Sequence, residues 1–301
     1  MDSDVEQLNA TFGRPGAVSF AEHELGGPVA QLVTAHASAI VAIHGAHVLS
    51  FLPKEGREVL WMSPQARIAP GQGIRGGIPV CWPWFATHAS DTSKPDHGFV
   101  RKAPWRVVRS AAENGSAEIE LTFAAMGEYA ALWPGKAELK VVVSLSDRLR
   151  VELATQNLGD ATIELTEALH TYFAIGNIAD VTVRGLEGRS YRDKLQDYAV
   201  ITQQGAITFA GEVDRIYEDT LDDVVIEDPG HGRKIRVAKA GSTSTVVWNP
   251  WIEKSQRLSD MPAQGYLGMV CVETANAGGD VVTLEPRDTH RLTTVLSVEP
   301  L

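Results

Sequence analysis

A large antiparallel β-sandwich or barrel is the fold class this sequence predicts, on three observations. Apolar and polar residues alternate at period two in one segment after another. Turn signals separate those segments at short spacing, and helical periodicity is scarce.

The elements follow in chain order. Trp105–Ser110 and Ala117–Phe123 flank Asn114-Gly115, a strong hairpin signal. In the second of these, Ile119, Leu121 and Phe123 face one way and Glu118, Glu120 and Thr122 the other. Leu139, Val141, Val143 and Leu145 repeat the pattern. After a turn at Ser146-Asp147-Arg148, Leu149, Val151 and Leu153 repeat it again. Ala161–Thr166 is strand-like, Gly268–Val272 reads as a buried strand ended by Glu273, and Arg291–Glu299 alternates to the end of the chain. Asn157-Leu-Gly-Asp160, Asp228-Pro-Gly-His-Gly232 and Ala277-Gly-Gly-Asp280 are turns. One short helix is expected within Ser255–Gln264, with Ser259-Asp260 near its cap. No Ser-, Gly- or Pro-rich linker, low-complexity tract or internal repeat divides the chain, so residues 1–301 are expected to form one domain.

Bulk composition narrows the function. The chain has 301 residues, 44% hydrophobic, which is ample for a full core. A net charge of -11 repels nucleic acid and anionic membrane, so neither is an expected partner. An anionic substrate would need a local cationic site. Cys81 and Cys271, without C-x-x-C spacing, argue against a disulfide framework and a cysteine zinc site, and suit a reducing compartment. The acidic start carries no apolar signal region, and no apolar run reaches membrane-spanning length. A cytoplasmic monomer is expected.

Four segments carry candidate chemistry. The first is Arg75-Gly-Gly-Ile-Pro-Val-Cys-Trp-Pro-Trp-Phe85, followed by His97-Gly-Phe-Val-Arg101. Arginine forks suit phosphate, adjacent glycines admit close backbone approach, and Trp82, Trp84 and Phe85 offer faces for sugar rings. A structural loop with aromatic plugs and ion pairs fits the same residue types. The second is Glu167-Ala-Leu-His170-Thr-Tyr-Phe173, where His170 at a core edge is either an acid–base group or an inert buried histidine. The third is Leu267-Gly-Met-Val-Cys-Val-Glu273-Thr-Ala-Asn276, where burial of Glu273 would raise its pKa toward the range of a general base, unless a salt bridge holds it. Just upstream of it lies the aromatic segment Val246-Val-Trp248-Asn-Pro-Trp251. The fourth is Asp214-Arg-Ile-Tyr217, where Asp214 either accepts from sugar hydroxyls or is a solvated loop carboxylate. His44 and His47 read as opposite faces of a strand and are poor joint ligands. Gly71-Gln-Gly-Ile-Arg-Gly76 lacks the βαβ context of a dinucleotide site.

Taken together and in order, Arg75–Pro79, Pro83–Phe85, His97–Arg101, Leu169–Phe173, Asp214–Tyr217, Trp248–Pro250 and Cys271–Glu273 resemble the aldose 1-epimerase (mutarotase) superfamily. The nearer likeness is to its hexose-6-phosphate mutarotase branch. The resemblance spans about Gly45 to the C-terminus. It implies a galactose mutarotase-like β-sandwich with the site on its concave face, and no metal or cofactor. It implies His170 as general acid and Glu273 as general base. Arg75 and Arg101 would hold a sugar phosphate, Asp214 would hold a hydroxyl, and His97 would line the site. Asp96 stands where relatives often carry Gln or Ala, and would weaken phosphate binding or orient an arginine. Ala86 stands where Gly is common. In this chemistry Glu273 starts ionised and His170 protonated, on opposite sides of the ring. A mutarotase for neutral aldoses, a non-catalytic carbohydrate-binding module and a sugar-phosphate sensor are the alternatives, separated by phosphate dependence and by anomer exchange.

Overall fold

The computed structural model describes residues 4–301, which fold mostly into antiparallel sheets. A meander of Val18–Glu22, Pro28–Val33, Ala37–Ala42 and His47–Pro53 comes first. An eight-stranded backing sheet then runs in the order Thr182–Arg184, Val224–Asp228, Arg233–Ala240, Thr289–Pro300, Leu149–Asn157, Ala137–Leu145, Ser116–Ala125, Arg106–Glu113. The alternating segments read from the sequence all lie in it, with ends shifted by up to four residues, as where the strand read through Leu153 runs on to Asn157. Its apolar positions, such as Ile119, Leu121, Val141, Leu153 and Leu292, are fully buried, and truncating any one to Ala would cost about 2–5 kcal/mol.

The second eight-stranded sheet positions the site. Its path is Ala199–Thr202, Ser190–Asp193, Val213–Tyr217, Ser244–Asn249, Met269–Asn276, Glu167–Leu169 and Val80–Cys81, and Tyr172–Ala174 also pairs with Met269–Asn276. Strand side chains alternate between faces. Val270 and Val272 therefore join the core shared with the backing sheet, while Cys271 and Glu273 point the other way. One buried cluster runs from Val18 to Leu296 and includes residues of both large sheets.

Two expectations need correction, and one element is new. Glu273 does not end its strand but lies inside it, since Thr274, Ala275 and Asn276 continue the ladder, paired with Thr245, Ser244 and Glu167. The short helix is Trp251–Arg257 rather than a segment of Ser255–Gln264, because Pro262 cannot continue a helix and the chain turns at Leu258–Pro262. A second helix, Val5–Phe12, capped by Asp4 accepting from the Glu6 N–H at 2.9 Å, lies in a stretch that carried no expectation.

Candidate active site

Register builds the site row by row. Residues directly opposite one another in antiparallel strands share a face. Tyr172 pairs with Cys271, Cys271 with Trp248, and Trp248 with Asp214, which makes one row across four strands. In the next row Glu273 pairs with Val246 and Val246 with Ile216. His170 lies between the strands Glu167–Leu169 and Tyr172–Ala174, its N–H donating to the Pro79 carbonyl at 3.0 Å. The result is a cavity of about 280 Å³. All seven residues singled out from the sequence line it: Arg75, Asp96, His97, Arg101, His170, Asp214 and Glu273.

His170 Nε2 stands 3.4 Å from Glu273 Oε1, and the two residues are 6% and 1% exposed. They are neighbours at one wall rather than groups on opposite sides of a ring. That arrangement suits a reaction at C1, whose hydroxyl and ring oxygen are bonded to the same carbon. Burial pushes the Glu273 carboxyl well up, with the Asp214 carboxylate adding to it and Lys194 opposing. Burial, then Arg101 and Arg75, pushes the His170 imidazole well down. Both shifts favour the uncharged forms, a protonated Glu273 carboxyl and a neutral His170 imidazole.

The arginines differ. Arg75 Nε lies 3.1 Å from Asp260 Oδ1, and its Nη1 donates to the Tyr172 hydroxyl at 2.9 Å. Among the described residues Arg101 has no carboxylate partner. Its Nη2 donates to the Asp96 carbonyl at 2.9 Å, and its Nε is buried without a partner. Asp96 thus orients an arginine through its backbone rather than its carboxylate. Two histidines hold the Arg75 loop. His44 Nε2 and His47 Nε2 each lie 2.7 Å from a loop carbonyl, of Gln72 and Gly76. Gly76 and Gly77 serve packing rather than ligand approach: a Cβ on Gly77 would stand 2.2 Å from the Val48 carbonyl oxygen, and both residues have positive φ.

His97 has φ +61°, a region where non-glycine residues are rare. Reciprocal bonds hold it, its N–H donating to Ala86 O at 2.7 Å and the Ala86 N–H donating to His97 Nδ1 at 3.3 Å. With Nδ1 accepting, the proton of the neutral ring sits on Nε2. Burial, then His170 and Arg101, holds this imidazole well below its usual range. Ala86 itself has φ +60°, the backbone region that favours glycine. Of the aromatics, Phe85 reaches the cavity. Trp82 is fully buried against Phe99 and Trp133, and Trp84 packs on Phe99 and His88, so both are core rather than sugar platforms.

Asp214 is a buried strand residue, not a solvated loop carboxylate. Its Oδ2 accepts from Lys194 Nζ at 2.9 Å and lies 3.7 Å from Lys254 Nζ. Neither lysine stood out in the sequence. Lys194 follows Asp193, whose pairing with Arg215 ends the ladder and sets the short turn Lys194–Gln196 beside Asp214. Lys254 arrives on the helix after Asn249, whose Oδ1 accepts from the Trp251 N–H and whose Nδ2 donates to the Tyr266 and Met269 carbonyls. Only the register and that turn reveal them. Trp248 and Tyr172 complete the wall.

Ligand atoms of His170, Cys271 and Glu273 lie within 4.8 Å of one another, a donor set of the type that binds zinc. Burial, with Glu273 adding to it, pushes the Cys271 thiol well up. Arg75, Arg101, Lys194 and Lys254 border the same cavity, a setting that favours an anion. Cys81 and Cys271 are both buried free thiols.

Fold and cavity together define a galactose mutarotase-like β-sandwich. A galactose mutarotase-like structure from Clostridium acetobutylicum superposes with TM-score 0.71 at 14% identity, over 94% of this chain and 98% of that one. The model of the aldose 1-epimerase family matches residues 28–297, and the chain belongs to that family. An Escherichia coli (strain K12) relative, provisionally named glucose-6-phosphate 1-epimerase, is 35% identical over 250 residues, 83% of each chain. A relative from Cenchrus ciliaris with the same provisional name is 33% identical over 273 residues, 86% of this chain and 81% of that one. A Salmonella typhimurium crystal structure, described provisionally as a mutarotase (YeaD), has TM-score 0.89 and 28% identity over 99% of both chains. Among the described residues no helix is long and apolar enough to cross a membrane.

Proposed function

We propose that this enzyme interconverts the α and β anomers of hexose 6-phosphates, glucose 6-phosphate foremost, with Glu273 as base and His170 as acid. One observation carries the reading: His170 and Glu273, 3.4 Å apart, share their cavity with Arg101, whose buried Nε has no partner among the described residues. The names of the relatives from E. coli and Cenchrus ciliaris support the same substrate.

The chemistry needs two proton transfers. Glu273 takes the proton of the C1 hydroxyl while His170 gives one to the ring oxygen, and the C1–O5 bond breaks. The open aldehyde turns about C1–C2, and the reverse transfers close the other anomer. A protonated Glu273 with neutral His170 holds the same number of protons as the working pair of carboxylate and imidazolium. An internal transfer converts one into the other without a proton from solvent. The positive charges of Arg101 and Arg75 oppose a charged His170, and a bound phosphate offsets them. Substrate binding would thus favour the working form.

In this reading Arg101 and Arg75 hold the phosphate and Asp214 accepts from a sugar hydroxyl. His97 and Asp96 shape the wall, and residues 1–301 act as one domain. Two free buried thiols support a reducing compartment such as the cytoplasm. The test is anomer exchange by NMR saturation transfer, on glucose 6-phosphate with free glucose and galactose as controls. Acceleration for the phosphosugar alone is expected. Equal acceleration of the free sugars would discard the phosphate assignment, and no acceleration of any sugar would leave a binding protein.

A further inference from the structure

Tyr172 touches both halves of the cavity. Its hydroxyl accepts from Arg75 Nη1 at 2.9 Å, and its ring lies parallel to the His170 imidazole, with centroids 4.8 Å apart and planes 11° apart. Trp61 stacks at 6.0 Å and 23°, and Trp248 meets both Tyr172 and His170 edge-on at 6.0 Å. Pairing with Cys271 places Tyr172 one row from Glu273. The phenol is 2% exposed, and burial pushes its ionisation well up, so its oxygen remains a neutral hydroxyl.

We infer that Tyr172 is a positioning residue that ties the anion-binding arginine to the acid–base pair, its hydroxyl holding Arg75 and its ring bearing the His170 imidazole. Two physical effects carry this. Arg75 is gripped from two sides, by Asp260 at Nε and Tyr172 at Nη1. Among the described residues its Nη2 has no hydrogen-bond partner, so the fork is presented at a fixed angle to an incoming anion. The face of an aromatic ring also attracts a cation, so the phenol favours the imidazolium that burial and the arginines disfavour. Separate atoms of one side chain therefore serve the two halves of the site. This coupling rests on the proposed function, in which His170 is the acid and Arg75 a phosphate ligand.

Two variants divide these roles. Tyr172→Phe keeps the ring and removes the oxygen, whereas Tyr172→Leu removes the ring as well. Calorimetry with inorganic phosphate reads the arginine side, and the ¹⁵N shifts of the His170 ring against pH read the imidazole. Tyr172→Phe should weaken phosphate binding about two- to tenfold and leave the His170 midpoint close to that of the wild type. Tyr172→Leu should weaken phosphate similarly and lower the midpoint by about half a pH unit. Unchanged phosphate affinity in the Phe variant overturns the inference, as does an unchanged His170 midpoint in a folded Leu variant. If the Leu variant does not fold, the Phe variant decides by its phosphate affinity. Anomer exchange by the wild type is measured in parallel. Its absence, with both tyrosine effects present, would sink the proposed function and not the coupling. Its presence without those effects would do the reverse.

Discussion

Lys194 Nζ stands 2.9 Å from Asp214 Oδ2 at the edge of the cavity, on the short turn Lys194–Gln196 that follows the Asp193–Arg215 pair. Lys254 shares the same carboxylate oxygen at 3.7 Å and is itself held by Glu212 at 2.9 Å. Asp214 thus lines the cavity with two cations fixing its direction. Replacing it with Asn keeps the shape and removes the charged acceptor. Asp214→Asn should raise KM for glucose 6-phosphate about tenfold or more. Lys194→Met should do less, because Lys254 still holds the carboxylate. The double variant should depart from additivity by about 0.5–3 kcal/mol in kcat/KM, as expected for groups in contact. Strict additivity would mean that the pair does not act on substrate together.

The acid–base pair makes the plainest prediction. Glu273→Gln keeps the side-chain volume and His170→Asn keeps a polar group, both remove the transferable proton, and each should slow anomer exchange by about 10²–10⁴-fold. The double variant should be little worse than the worse single one, because neither partner works alone. Saturation transfer between the two anomers measures this directly. Unchanged rates in both single variants would sink the assignment.

The two arginines should not weigh equally. The charge of Arg75 is already opposed by Asp260, whereas Arg101 has a carbonyl partner and a buried Nε with none. A dianion therefore gains more from Arg101. Arg101→Ala should raise KM for the phosphosugar by roughly 10–100-fold, more than Arg75→Ala does, and should affect free glucose far less. Steady-state exchange on both sugars checks the order. Equal losses on both sugars would show that the arginines hold the ring rather than the phosphate.

Residue types in sequence order were enough to bring His170, Glu273 and both arginines to one cavity, because each sits in a segment with unusual local chemistry. Lys194 and Lys254 carry no such mark. Their neighbours are ordinary turn and helix residues, and only the pairing of Ser190–Asp193 with Val213–Tyr217, and the turn held by Asn249, bring them to Asp214. Alternation showed the backing sheet well, since one of its faces is wet. In the site sheet both faces are covered, so Met269–Asn276 is buried throughout and Glu273 looked terminal. Trp82 and Trp84 misled in the other direction, since an aromatic on a core wall and one on a sugar platform read alike from sequence.

The last prediction concerns stability against pH. Glu167 opens the strand that leads to His170 and is fully buried, with Thr155 Oγ1 3.2 Å from its Oε2 and His290 Nε2 3.5 Å from its Oε1. Burial pushes it from 4.5 up to about 8, against the Thr155 hydrogen bond. Between those values the native chain keeps a proton that the unfolded chain has released. Stability therefore falls as pH rises across the window, by at most about 1.4 kcal/mol per pH unit for one proton. His47 has the opposite sign. Burial holds it down to about 3, so the unfolded chain binds a proton that the native one refuses, and stability is lost as pH falls from 6.5 toward 3. Glu167→Gln removes the first effect and leaves the second. Urea unfolding at pH 4.5, 6 and 8 should show the variant losing less stability than wild type as pH rises. The wild-type-minus-variant difference should fall up to about pH 8, since the His47 effect is common to both. A wild-type-minus-variant difference that stays constant with pH would mean that Glu167 ionises in the folded chain as it does in water.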